Sequence, residues 1–222
     1  MRIAVLGASG RVGQVLCERI GAAPDLDLAE GIASGAGTGI VALADASLDA
    51  DMLIDFSTPD AVMQLLDRLQ GNPLPLVIGT TGFTPEQAQR LRAEGLQRPL
   101  LIGPNFTFGF EPFRRAAMVL AEALPQAALT VAETYNAAKK PIVSGTTQGL
   151  VADLGVEGRT VATEINREGQ TPGINTIRLD LGVAEITLTL TVGSRAAYAV
   201  GAIAAARWLQ GRLDGAYSIT EM

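Results

Sequence analysis

The chain has 222 residues, of which 48% are hydrophobic and 18% charged, a composition typical of a globular protein with a substantial core. Its net charge of −6 argues against nucleic-acid binding, which needs a basic surface. There is no histidine and a single cysteine, Cys17, so we expect no zinc site, no intramolecular disulfide and a reducing compartment. With no signal peptide and no long apolar run, we expect a cytoplasmic protein with no membrane partner.

A glycine-rich turn separates the first predicted strand from the first predicted helix. Residues 3–6 are apolar, residues 7–13 carry glycine at every third position, and apolar residues recur at helical spacing over residues 12–20. In such a unit the glycines let the backbone approach a pyrophosphate at the helix N-terminus. The spacing G-x-x-G-x-x-G differs from the usual G-x-G-x-x-G, but its place between strand and helix favours dinucleotide binding over a structural turn.

The end of the second predicted strand, residues 26–33, bears on the choice of cofactor. NAD-binding proteins usually place an acid there for the ribose 2′-hydroxyl. Here the strand ends at Ala33 and is followed by Ser34, and the nearest acid, Glu30, lies inside the strand. No arginine follows to bind a 2′-phosphate. The choice between NADH and NADPH stays open, with a slight preference for NADPH.

Three further strands are predicted at residues 52–56, 75–78 and 99–102. Helices follow after Pro59, with Ser57 as the expected N-cap, and near Thr84, with proline in the first turn. Strands that alternate with helices predict a doubly wound parallel sheet, whose carboxyl-end loops line the ligand crevice. Several of these loops are rich in Gly, Thr or Asn, as a polar cofactor requires.

The second half has a different pattern. A helix is predicted at residues 108–124, strands at 128–132, 175–181 and 184–192, and a closing helix from Arg195. Threonines alternate with apolar residues in the last strand, and an apolar sheet face with few covering helices predicts a subunit interface.

These elements predict an α/β fold with two domains. Residues 1–105 form a Rossmann-type dinucleotide-binding domain with a doubly wound parallel sheet. We expect residues 106–194 to form a smaller α+β domain whose sheet builds a subunit interface. The C-terminal helix, within residues 195–222, returns to the first domain.

Residues 133–147 carry both lysines of the chain, Lys139 and Lys140, close to Ser144, Gly145 and Thr146. Ammonium groups beside a turn of small residues can hold an anion through charge and backbone N–H groups. The alternative is a solvated loop whose lysines face water.

Taken together, the motifs resemble those of the dihydrodipicolinate reductase family, in order and over nearly the whole chain. The matching segments are residues 7–13, 54–57, 79–82, 105–107, 144–146, 172–173, 194–195, 198–202, 208–209 and 217–218, with Glu133 and Lys139. The resemblance implies an NAD(P)H-dependent reductase of the diaminopimelate–lysine pathway, which transfers hydride to a small cyclic dicarboxylate. It also implies that residues 106–194 are a substrate-binding and oligomerisation domain, and that a homotetramer is joined through the sheets of that domain.

The resemblance also implies site residues. Lys139 stands at the position of the family's proton donor, and Tyr135 is a second catalytic candidate. The substrate would be held by Asn136, Ser144, Gly145 and Thr146. The cofactor would be held by Gly7, Ala8, Ser9, Gly10, Arg11, Val12, Ser34, Gly79, Thr80, Thr81, Gly103, Pro104, Asn105 and Phe106.

The chain departs from the family pattern in the substrate half. Tyr135 and Asn136 stand where the family has two adjacent histidines, and Asn175 and Leu190 replace histidines further along. Two alternatives therefore stay open beside the family's reaction. One is a reductase of the same fold that acts on a different cyclic imine, and the other is a module that binds NAD(P)H without turnover.

Overall fold

The computed structural model describes residues 1–139, 142–171 and 173–222. It divides into two compact units, one formed by Met1–Thr107 with Arg195–Met222 and the other by Phe108–Ser194. The strands are β1 Arg2–Leu6, β2 Asp27–Ala33, β3 Ile40–Ala42, β4 Met52–Asp55, β5 Leu76–Ile78, β6 Pro99–Ile102, β7 Ala128–Tyr135, β8 Val161–Arg167, β9 Gly173–Asp180, β10 Glu185–Val192 and β11 Gly215–Ser218. The helices are α1 Arg11–Ala22, α2 Pro59–Arg68, α3 Pro85–Ala93, α4 Phe110–Ala123, α5 Gly145–Leu154 and α6 Ala196–Leu209.

The first unit contains a parallel sheet with strand order β11-β6-β5-β4-β1-β2-β3. The chain starts in the middle of the sheet, builds outwards through β2 and β3, and then continues on the other side of β1 with β4. This reversal places the carboxyl ends of β1 and β4 side by side, with Leu6 in register with Asp55. A switch point of this kind opens a crevice where such sheets bind their ligands.

The five strands predicted in this unit are confirmed to within one or two residues. One predicted detail is wrong. The N-cap of α2 is Thr58, whose Oγ1 accepts a hydrogen bond from the Ala61 N–H at 3.3 Å. Ser57 instead bonds the carboxylate of Asp55. The strands β3 and β11 were not predicted, because each is three or four residues long and has no clear alternation of apolar and polar residues.

The second unit contains a four-stranded mixed sheet with the order β10-β9-β7-β8. The pair β7–β8 is parallel, and the pairs β7–β9 and β9–β10 are antiparallel. Residues of α4 and α5, such as Ala117 and Leu150, pack with Val131 and Ile177 of the sheet into one core. The apolar side of the sheet is therefore covered by helices, so the reason given for a subunit interface is wrong, although the interface itself stays a prediction. The other side exposes threonines such as Thr187 and Thr189.

Strand β7 is longer than predicted and runs on to Tyr135. The strand β8 and the helix α5 were not predicted. The sequence of α5 begins Gly-Thr-Thr and contains a second glycine, all poor helix formers. Its start is set by Ser144, whose Oγ accepts a hydrogen bond from the Thr147 N–H at 3.3 Å. The extension matters for function, because it places Glu133 and Tyr135 on a strand rather than on a loop.

Candidate functional site

The turn between β1 and α1 is packed so tightly that a β-carbon at Gly7 or Gly13 would overlap backbone atoms. Gly7 has a φ of 87°, and a β-carbon there would lie 2.3 Å from the carbonyl oxygen of Phe56. A β-carbon on Gly13 would lie 2.0 Å from the carbonyl oxygen of Gly7. The N-cap of α1 is Gly10, which has no side chain to cap the helix, and the first turn contains no acid. The first N–H groups of α1 are therefore suited to a pyrophosphate.

A buried carboxylate connects the loop after β4 with one of the predicted cofactor loops. Asp55, fully buried at the end of β4, accepts hydrogen bonds from the N–H groups of Ser57 at 3.0 Å and Thr80 at 3.3 Å, and from the Ser57 hydroxyl. The Ser57 N–H also reaches the Thr80 hydroxyl at 2.9 Å. Burial raises the pKa of Asp55 to about 6, against the opposing effect of the hydrogen bonds from Ser57 and Thr80. The carboxylate thus fixes residues 79–81 beside the loop that follows β4.

Two phenylalanine rings support the neighbouring loops. Phe56 and Phe106 are in edge-to-face contact with ring centroids 5.7 Å apart. A β-carbon on Gly79 would lie 2.6 Å from the Phe56 ring, and one on Gly103 would lie 3.0 Å from the Phe106 ring. The side chain of Phe106 is buried in the core, so a cofactor contact at this position would come from its backbone. Asn105 shapes the same loop by accepting the Thr107 N–H at 2.8 Å.

The end of β2 lies directly beside the glycine turn. The N–H groups of Gly7 and Ala8 both donate to the carbonyl oxygen of Ile32, at 2.9 and 3.0 Å. Ser34 follows two residues later and is exposed. The carboxylate of Glu30 accepts the N–H groups of Ser47 and Leu48, so it holds the chain after β3 rather than facing a ribose. The exposed residues of the glycine turn include Ser9 and Arg11.

In the second unit, Glu133 is the centre of a polar network. It is fully buried on β7 and accepts hydrogen bonds from the Ser144 N–H at 3.1 Å and from the hydroxyls of Ser144 and Thr147, both at 2.5 Å. It also forms an ion pair with Arg167 of β8 at 2.7 Å. Burial raises the pKa of Glu133, but the hydrogen bonds from Ser144, Thr147 and Arg167 outweigh it, so the pKa lies below its ordinary value.

This network fixes the start of α5. Ser144 is held by Glu133 and caps the helix, so Gly145 and Thr146 occupy its first turn, which contains no acid. The space around Gly145 is open, since a β-carbon there would meet no atom within 4 Å. An uncrowded helix start favours anions through its N–H groups and dipole. Two of the predicted substrate residues thus lie at a helix N-terminus, while Ser144 serves chiefly to position them.

The predicted catalytic pair is brought together at the end of β7. The ammonium nitrogen of Lys139 lies 3.3 Å from the centroid of the Tyr135 ring. Burial lowers the pKa of Lys139, the nearby carboxylate of Glu133 raises it and Arg167 lowers it, and the net pKa is below the ordinary value. Asn136, predicted to bind substrate, accepts the Ala138 N–H through Oδ1 at 2.8 Å and so shapes the turn that carries Lys139. Lys140 lies outside the described residues.

The same end of the sheet holds the other positions at which the chain departs from the family pattern. Asn175 pairs in register with Glu133 on one side and with Leu190 on the other. Asn175 is 2% exposed, and within the described ranges its Oδ1 has no hydrogen-bond partner.

The sequence does not predict Arg167 and Thr147 as members of the network around Glu133, because β8 and α5 carry no clear periodic signal.

The described part of the chain contains no group of three or more His, Cys, Asp or Glu side chains that could hold a metal ion. Among the same residues, no helix is long and apolar enough to cross a membrane.

Comparison with known families identifies the chain. The sequence model for the dihydrodipicolinate reductase N-terminus matches residues 1–106, and the model for its C-terminus matches residues 109–222. The chain belongs to the dihydrodipicolinate reductase family. The resemblance stated from the motifs is thus confirmed. As a member of this family the protein is an NAD(P)H-dependent oxidoreductase, and its cofactor is a nicotinamide dinucleotide.

Curated relatives match over their full length. The 4-hydroxy-tetrahydrodipicolinate reductase of Thiobacillus denitrificans is 32% identical, with 100% of this chain and 98% of the relative covered. That of Methanoregula boonei is 30% identical, with 100% and 97% covered. The alignment with the first spans 262 positions, so the relative contains segments that this chain lacks.

Solved structures confirm the fold. A dipicolinate-bound dihydrodipicolinate reductase from Paenisporosarcina sp. TG-14 has a TM-score of 0.79 at 18% identity, with 98% of this chain and 97% of that one covered. An aspartate dehydrogenase from Thermotoga maritima has a TM-score of 0.54 at 14% identity, with 96% and 98% covered. The predicted class, a doubly wound parallel sheet with a smaller α+β unit, is confirmed.

Proposed function

We propose that this protein is a 4-hydroxy-tetrahydrodipicolinate reductase of the diaminopimelate–lysine pathway. The observation that carries the proposal is the arrangement in the second unit. There, Lys139 lies close enough to Glu133 to feel its charge, and Glu133 fixes the helix start at Gly145 and Thr146. A cation that is linked through Glu133 to a helix N-terminus suits a small ring that carries carboxylates, because both attract anions.

Each residue of this arrangement has a separate task in the proposed reaction. The first N–H groups of α5 bind one carboxylate of the ring, and Ser144 and Glu133 hold that helix start in place. Lys139 donates a proton, and the 4-hydroxyl group leaves as water. The nicotinamide, when bound, supplies the hydride that the ring receives. The lowered pKa of Lys139 suits proton donation, since a donor works best with a pKa near the working pH.

The cofactor half supports the same reaction. The uncapped start of α1 and the glycines at positions 7, 10 and 13 suit a pyrophosphate, and residues 79–81 and 103–106 follow neighbouring strands at the same edge of the sheet. We infer a preference for NADPH over NADH. Glu30 is engaged with Ser47 and Leu48, so no acid at the end of β2 repels a 2′-phosphate. Titration with both cofactors tests this, and tighter binding of NADH would contradict it.

The activity is tested with substrate made in situ from pyruvate and aspartate semialdehyde by dihydrodipicolinate synthase. The purified protein should oxidise NADPH only when the synthase and both of its substrates are present. A crystal soaked with NADPH and pyridine-2,6-dicarboxylate tests the site. Density for the dicarboxylate between Lys139 and the start of α5 supports the proposal, and an empty site at saturating concentration contradicts it.

A second candidate is a reductase of the same fold that acts on a different cyclic imine. It is favoured by Tyr135, Asn136, Asn175 and Leu190, which replace the family's histidines at one end of the sheet. Failure to restore growth of a lysine-pathway reductase mutant, together with turnover of another cyclic imine, would establish it. Tight NADPH binding without oxidation in any of these assays would instead indicate a non-catalytic binding module.

We further infer a homotetramer in the cytoplasm, as the family resemblance implies. The exposed side of the four-stranded sheet, which carries Thr176, Thr187 and Thr189, is available for such an assembly. Light scattering after gel filtration tests it, and a monomer at micromolar concentration would contradict it.

A further inference from the structure

The ring of Tyr135 and the ammonium group of Lys139 are in direct contact. The Lys139 Nζ atom lies 3.3 Å from the ring centroid, well inside the limit of about 6 Å for cation–π attraction. The guanidinium carbon of Arg167 lies farther away, at 5.7 Å from the same centroid. The electron-rich face of Tyr135 therefore attracts the Lys139 ammonium group more strongly than the Arg167 guanidinium.

The Tyr135 ring is held in place by the sheet. Tyr135 is 8% exposed and pairs in register with Arg167 of β8, and its carbonyl oxygen accepts the Glu168 N–H at 2.8 Å. A β-carbon on Gly173 would come within 2.8 Å of its Cε1, so the ring lies close against the backbone of β9. Lys139, by contrast, is on an exposed turn after β7, and an unrestrained lysine side chain samples many rotamers.

We propose that Tyr135 is a positioning residue whose ring holds the ammonium group of Lys139, and that Lys139 rather than the Tyr135 hydroxyl gives the proton. The inference rests on the proposed function, in which Lys139 is the proton donor. Imidazole gains and loses a proton near neutral pH, which a phenol does not. A tyrosine in this position instead offers a flat, buried platform that restrains a mobile lysine.

The contact between the Tyr135 ring and Lys139 should affect the pKa of Lys139, which can be measured. Burial lowers the pKa of Lys139, and among the charged groups that the structure describes around it Glu133 raises that pKa and Arg167 lowers it. The ring quadrupole favours the ammonium form over the neutral amine. Removing the ring should therefore lower the pKa of Lys139 relative to the wild type, whereas keeping an aromatic ring should not.

Titration of Lys139 tests the contact without any need for turnover. Lys139 and Lys140 are the two lysines of the chain, so protein grown with ¹³C-lysine gives two side-chain signals, and Lys140→Arg identifies the signal of Lys139. We expect Tyr135→Met and Tyr135→Leu to lower the pKa of Lys139 and Tyr135→Phe to leave it near the wild-type value. An unchanged pKa in a folded Tyr135→Met protein, or an equal change in Tyr135→Phe, overturns the proposal.

Kinetics test the consequence for proton transfer. We expect kcat to fall roughly 3- to 30-fold in Tyr135→Met, the loss that corresponds to a cation–π contact of ordinary strength, and less in Tyr135→Phe. The basic limb of the pH profile should move to lower pH in Tyr135→Met, in step with the titration. A loss in Tyr135→Phe as large as that in Lys139→Ala assigns the proton to the hydroxyl and overturns the proposal.

The NMR titration and the kinetic measurements together distinguish a failure of this inference from a failure of the proposed function. If the wild type fails to turn over dihydrodipicolinate, the proposed function fails, and the NMR titration still decides whether the ring holds Lys139. If the wild type is active but the titration shows no effect of the ring, the inference alone fails. Thermal melting of each variant shows whether it is folded, and Tyr217→Leu, in the other compact unit, controls for the general cost of losing a tyrosine.

Discussion

At the scale of single residues, Glu133 connects several parts of the second unit. It is fully buried and holds Arg167, Ser144 and Thr147 at once. Glu133→Gln keeps the shape but removes the buried charge that pairs with Arg167, so we expect a loss of about 3 kcal/mol in the free energy of unfolding. Urea denaturation measures it. Glu164→Gln is the matched control, because its pair with Arg178 is exposed and should contribute less than about 1 kcal/mol.

Asp55 makes the stability of the first unit fall as the pH rises, which is opposite to the effect of a carboxylate whose pKa is lowered by an ion pair. Its pKa is raised by burial to about 6, so between about pH 4 and pH 6 the folded state holds a proton that the unfolded state has released. The contribution of Asp55 to stability is therefore present at pH 4 and lost as the pH rises through 6, by about 3 kcal/mol in total. Chemical denaturation at several pH values, compared with Asp55→Asn, measures it. A difference between the two proteins that does not vary with pH contradicts the account.

At the scale of elements, helix α1 contains a glycine that the fold requires and one that it does not. A β-carbon on Gly13 would lie 2.0 Å from the Gly7 carbonyl oxygen, whereas one on Gly21 would meet nothing within 4 Å. We expect Gly13→Ala to destabilise the protein by several kcal/mol, roughly 2–4, and to weaken NADPH binding. Gly21→Ala, in the same helix, should stabilise it by about 0.5–1 kcal/mol. Thermal melting and NADPH titration of both variants check the pair. Equal effects would show that the turn is not tightly packed.

The elements also show what the sequence can predict and what it cannot. The strands β1 and β4 and the helix α1 follow from apolar runs and glycines, which report local geometry directly. The helix α5 does not, because its poor helix formers are stabilised by the Ser144 cap and by buried Leu150 and Leu154. Lys139 and Tyr135 could likewise be named from motif positions, but the contact between them could not be predicted from the sequence. It depends on how far β7 extends and on the neighbouring strands.

At the scale of the whole molecule, the chain is shorter than the relatives with which it was compared. Its relatives carry segments that it lacks, yet both halves of the family are matched. By the motif resemblance, the first unit keeps the family's motifs, whereas the second unit contains no histidine and keeps Lys139, Glu133 and the start of α5. In the proposed reaction, one lysine therefore donates the proton in a site without imidazole.

Turnover of dihydrodipicolinate by Lys139→Ala, set beside the wild type and Lys140→Ala, tests this claim most directly. We expect the wild type to oxidise NADPH with this substrate and Lys139→Ala to lose roughly 10²- to 10⁴-fold in kcat, the usual contribution of a general acid. NADPH affinity should be retained, and Lys140→Ala should lose less than about tenfold. Turnover by Lys139→Ala at the wild-type rate, or none by a folded, NADPH-binding wild type, would contradict the account.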